Sequence, residues 1–126
     1  MSQFTSVRVP KAETVAIQLT APNQLKLSGT ITQKDPSSDL AGFFKALHGA
    51  ALVDGLSEVR ADVSGLTFVN SSAIRLFVDW ATWVKNERGP RYTLLFVTSR
   101  TVTWQKTSFM ALMSLAKDVL KIEHAS

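Results

Sequence analysis

What most constrains this chain is a change of hydrophobic period that recurs along its whole length. Short runs with strand-type patterning alternate with longer segments whose apolar residues recur every three or four positions. Residues 14–19 alternate and are rich in β-formers. Residues 25–31 alternate again through Leu25, Leu27 and Gly29, with Ala21, Pro22 and Asn23 between the two runs as a turn. So short a connection predicts an antiparallel hairpin. Residues 33–38 have loop chemistry, and Ser38 or Asp39 can cap a helix over 40–53. In that helix Leu40, Phe43, Phe44 and Leu47 fall at helical spacing, and Gly55 is a stop. A strand at 58–63, a break at Ser64 and Gly65, and renewed apolar character at 67–69 lead to Asn70, Ser71 and Ser72. These three are N-cap residue types, and they open a long helix over 72–87 that Gly89 and Pro90 end. Residues 92–97 form a nearly continuous apolar run, which predicts a buried strand. A helix at 103–116 and a short strand at 118–123 complete the series.

The order β-β-α-β-α-β-α-β predicts an α/β fold: a mixed sheet with an N-terminal antiparallel hairpin, then alternating helices and strands joined by right-handed crossovers. The 126 residues fit one domain spanning 1–126, large enough for a core without staples. Apolar residues make up 45% and charged residues 19%, a globular rather than a disordered balance. There is no cysteine, which excludes disulfides, thiolate metal sites and cysteine nucleophiles. No apolar run approaches the roughly 18 residues that span a bilayer. The first ten residues lack a basic stretch followed by an apolar one. The expectation is a soluble, cytoplasmic protein with no membrane partner.

The formal charge of +4 invites a nucleic-acid reading. The bases are scattered, however: Arg8, Lys11, Lys26, Lys34, Lys45, Arg60 and Arg75. The densest group, Lys85, Arg88 and Arg91, lies where cations complement the end of a helix. Nucleic-acid binding is therefore not expected. Catalysis is poorly supported too. His48 and His124 have no partner at relay or ligand spacing. Residues 49–55 lack the ending of a phosphate loop, and no nucleophile motif is present. The sequence implies no enzyme, no cofactor and no metal.

The informative segment is the strand that runs through a short break into Asn70-Ser71-Ser72-Ala73-Ile74. On physical grounds alone, serines here are ordinary helix caps. The stretch also resembles the signature of the STAS family, in which an apolar strand and a short break lead to Asp-Ser-Ser/Thr-Gly-Leu at the start of a long helix. The resemblance extends to the opening hairpin with Leu27-Ser28-Gly29-Thr30-Ile31, the strand over 93–97, and the final helix and strand. It implies a STAS-like mixed sheet and a non-enzymatic regulatory module akin to the anti-sigma-factor antagonists. In those proteins the first serine after the Asp is phosphorylated by a partner kinase that doubles as the anti-sigma factor, and a phosphatase reverses the reaction. By position that serine is Ser71, with Ser72 the secondary candidate. Asn70 stands for the family's Asp, Ala73-Ile74 for its Gly-Leu, and Thr32 for an acid common at the end of the second strand. The implied partner-binding set is Thr32, Asn70, Ser71, Ser72, Arg75, Leu76, Trp80 and Trp83.

The last three of that set come from the helix over 72–87. At about 100° per residue, Ile74, Phe77, Val78 and Ala81 form one stripe. Leu76, Trp80 and Trp83 form a second on nearly the opposite side, and Arg75, Asp79, Thr82 and Asn86 form a narrow polar strip. Either flanking helices cover the second stripe, or it is an exposed aromatic patch for a partner or for self-association as a homodimer. Beside the phosphorylation-controlled partner switch stand two alternatives. One is a constitutive scaffold or dimerisation domain. The other is a binder of small anions at the helix N-terminus.

Overall fold

The computed structural model describes residues 3–9, 15–31, 40–69, 71–89, 91–99 and 102–125. Their elements follow in the expected order. They are β1 (Val15–Ala21), β2 (Gln24–Ile31), α1 (Gly42–Val53), β3 (Glu58–Val69), α2 (Ser71–Lys85), β4 (Thr93–Ser99), α3 (Thr103–Ala116) and β5 (Leu120–Ala125). A single 3-10 turn, Phe4–Ser6, precedes them. The fold is α/β. One five-stranded sheet has the order β1-β2-β3-β4-β5, with β1 antiparallel to β2 and every other pair parallel.

Each crossover steps to the next strand in the same direction, so right-handed connections put all three helices on one face. Burial agrees. Val59, Ala61 and Val63 of β3 are buried while Glu58, Arg60 and Asp62, which alternate with them, are half-buried on the open face. The core between sheet and helices is aromatic. Phe44 stacks on Trp80 at 5.0 Å, Phe96 meets Phe109 at 4.7 Å, and Phe77 meets Phe96 edge-on at 5.6 Å. Such pairs add about 0.5–1.5 kcal/mol each to the burial of the rings themselves.

β4 is buried on both faces, as its apolar run predicts, but for two different reasons. Leu94 and Phe96 lie under the helices. Leu95 and Val97 lie on the open face, where Arg60 of β3 pairs with Leu95 and Glu123 of β5 pairs with Val97 in the ladders. The 3.3 Å ion pair between Arg60 and Glu123 therefore passes over β4 and shields its side chains.

The predicted break at Ser64 and Gly65 is a pair of irregularities inside one continuous strand. The register between β2 and β3 slips between Lys26 and Ser28 and again between Gly29 and Thr30. The Asp62 carboxylate accepts from the Ser64 N–H (3.0 Å) and hydroxyl (2.6 Å), which fixes the first bulge. A Cβ on Gly65 would stand 2.9 Å from the Ser28 Cβ, so only glycine lets the strands approach there. At the end of α1, Gly55 has a φ of 65°. Its N–H donates to Leu52, and that of Leu56 donates to Ala51, the two bonds of a Schellman stop. Asp54 also accepts from the N–H groups of Gln3 and Phe4, which ties the N-terminal turn to this end of α1.

Candidate functional site

The carboxyl ends of the parallel strands are where α/β sheets commonly hold their ligands and partners. β3 ends there at Val69, and α2 begins at Ser71. The helix thus starts one residue earlier than its pattern predicts, which makes Ser71 its first residue rather than its cap. Thr32 and Asn70 lie outside the described residues, as do the caps expected at Ser38 and Asp39 and the stop at Pro90; the side chains of Ser71 and Ser72 lie outside them too. The first turn of α2 carries no acidic residue. Its N–H groups and positive dipole end are therefore unopposed by a local carboxylate. Arg75, four residues on, is exposed and shares a helical face with Ser71. Phe68, 51% exposed at the end of β3, adds an apolar side chain near this edge that the sequence pattern did not single out.

The second α2 stripe is not a surface. Leu76 is 5% exposed and Trp80 not at all, while Trp83 is half-buried against the core. α2 is the middle helix of three, with α1 on one side and α3 on the other. Its two predicted stripes merge into one broad buried face of Leu76, Phe77, Trp80, Ala81 and Val84. Ile74, Val78 and Trp83 lie half-buried on the flanks of that face. Leu76 and Trp80 therefore leave the set of candidate partner-binding residues, and Trp83 offers only part of its ring. Flanking helices cover the stripe.

Gln105 joins the irregular part of β3 to the end of β4 from inside. It is fully buried in the first turn of α3. Its Oε1 accepts from the Ser99 N–H at 2.7 Å, and its Nε2 donates to the carbonyls of Val63 (2.8 Å) and Leu66 (2.7 Å). Those two carbonyls flank the bulge of β3. One amide thereby bonds backbone groups of β3 and of the end of β4 and joins both strands to α3. A glutamine in a helix's first turn carries no pattern that announces this role.

At the opposite end of the sheet, His48 has partners after all. Trp80 Nε1 donates to the Tyr92 hydroxyl at 2.8 Å, and that oxygen lies 2.7 Å from His48 Nδ1. The hydroxyl proton then goes to Nδ1, so the ring proton sits on Nε2, which faces Glu87 Oε2 at 3.5 Å. Burial lowers the His48 pKa from 6.5, with Glu87 opposing the shift, and burial raises that of Tyr92. A neutral imidazole and a protonated phenol result. The partners lie 39 and 44 residues away in the chain, and no local spacing could reveal them. Among the described residues no cluster of three or more His, Asp or Glu could hold a metal, and no helix is long and apolar enough to cross a membrane.

No protein-family model matches this chain, and no curated protein matches it either.

Proposed function

We propose that this protein is a non-enzymatic binding module of the anti-sigma-factor-antagonist type, switched between protein partners by phosphorylation of Ser71. The observation that carries the reading is the start of α2 at Ser71, directly after the carboxyl end of β3 and without an acid in the first turn. A phosphate there adds a charge of about −1.5 to −2 where free N–H groups and the helix dipole favour it. Arg75, one helical turn further, supplies a cation at the spacing where such pairs form. The added charge therefore leaves the fold intact and changes what a partner reads at this edge, where the half-exposed Phe68 also stands. The resemblance of the β3–α2 segment to the STAS signature points the same way, and it implies that the partners are a serine kinase of the anti-sigma-factor type and a phosphatase.

The test is phosphate mapping on protein from its native cells together with two variants. Ser71→Ala removes the acceptor and costs at most about 0.5–2 kcal/mol of stability. Ser71→Glu places a charge where the dipole stabilises it by typically about 0.3–1 kcal/mol. Both should stay folded, with the Ala form holding the kinase-type partner persistently and the Glu form binding it weakly. Equal affinities for wild type and both variants, with no phosphate on Ser71, would leave the constitutive scaffold as the reading.

A further inference from the structure

We propose that two copies of this chain pair edge to edge through β5, in antiparallel register about a twofold axis at Ile122. The sheet has two outer strands. β1 is the shorter template, because its register with β2 is regular only from Val15 to Leu19 and slips before Ala21. β5 is a good one: it runs in unbroken register with β4 from Leu94↔Leu120 to Ser99↔Ala125. The Leu94 N–H donates to the Val119 carbonyl at 2.8 Å, which sets the phase of that parallel ladder. Val119, Lys121 and Glu123 direct their backbone groups at β4, and Leu120, Ile122 and His124 direct theirs outward. Among the described residues no strand meets those outward groups.

Charge selects both the occupant and the register. In a twofold antiparallel pair centred on Ile122, Ile122 exchanges both backbone bonds with the partner's Ile122, and Leu120 does so with the partner's His124. Lys121 then lies directly opposite the partner's Glu123, and Glu123 opposite the partner's Lys121, in the close non-hydrogen-bonded pairs where side chains interact most. Shifting the centre to Lys121 or to Glu123 sets that residue against its own copy, like charge on like. The sequence Lys121-Ile122-Glu123 is thus self-complementary in one register only. Both charged side chains are exposed on the open face, and Glu123 already reaches Arg60.

The helix side supplies apolar area along the same edge. Ile122 and Met113 are half-buried, and Met110 is 60% exposed. Together with Phe109, Thr98 and His124 they line a cleft of about 260 Å³. An axis perpendicular to the sheet keeps both helix layers on one side, so this edge of α3 meets its own copy above the joined strands. The dimer does not depend on phosphorylation of Ser71.

Sedimentation of the wild-type chain from low to high micromolar concentration should show a monomer–dimer equilibrium. Lys121→Glu opposes carboxylates at both sites and leaves the Arg60–Glu123 pair in place. It should raise the dimer Kd by about tenfold or more at an unchanged melting temperature. Glu123→Lys should weaken the dimer likewise, at a lowered melting temperature because it also breaks the Arg60–Glu123 pair. An equimolar mixture of the two variants sets every carboxylate against an ammonium and should dimerise as the wild type does. A wild type that stays monomeric, a Lys121→Glu variant that dimerises undiminished, or a mixture that gains nothing over its components would each overturn the proposal.

Discussion

The Tyr92 hydroxyl accepts from Trp80 and donates to His48, and so ties α1 and α2 to the entry of β4 through one oxygen. That bond needs a neutral His48. Burial lowers the folded-state pKa of His48 below 6.5, so the unfolded chain binds more protons than the folded one just below that value. The contribution is fully present above pH 6.5 and is lost as the pH falls through 6.5 towards the depressed value. Denaturant midpoints measured on either side of that window should fall with acidification in the wild type. In His48→Gln, whose amide oxygen still accepts from Tyr92, this part of the slope should vanish. Gln105 is the second residue whose weight lies in its bonds. Gln105→Leu preserves its bulk but strips the Ser99 N–H and the Val63 and Leu66 carbonyls of this partner. At about 1–3 kcal/mol for each of the two buried carbonyls left unsatisfied, chemical denaturation should show a loss of about 2 kcal/mol or more. A loss below about 1 kcal/mol, the scale of surface changes, would mean that water replaces the amide.

Among the elements, α2 has the most packing at stake. Phe77 touches Phe44, Phe96 and Phe109, rings from α1, β4 and α3. Phe77→Ala should cost about 3–5 kcal/mol in equilibrium unfolding, the range for emptying a large core site. Period revealed every strand and α-helix among the described residues, though not the 3-10 turn at Phe4–Ser6, because alternation and helical spacing are local properties of the chain. It located ends less well: β5 begins at Leu120 rather than at 118, and α2 at Ser71 rather than at 72. It misread 64–65 as a break because glycine and serine mark turns. There they serve a bulge, where Gly65 is required by the approach of Ser28. It also separated two stripes on α2 that three-helix packing unites. A pattern shows which sides of a helix are apolar but not how many neighbours it has.

At the scale of the molecule, the sheet is covered by helices on one face, the Arg60–Glu123 pair crosses β4 on the other, and the proposed switch site lies where β3 hands over to α2. The serines at that helix start are legible in the sequence. The bonds that join β3 to β4 and α3 are not, because Gln105 reaches Val63 across 42 residues. A comparable separation conceals the tie between His48 and Glu87. The strand order has one further consequence. Because sheet order is chain order, no strand must thread between two that are already paired. During synthesis each strand can dock on the edge left by the one before it, in the sequence in which the ribosome releases them. The hairpin forms first from neighbouring residues, each helix–strand unit then extends the sheet by one, and β5 closes the series. A chain halted before β5 would present β4 as its outer strand, with Leu94 and Phe96 on one face and Leu95 and Val97 on the other.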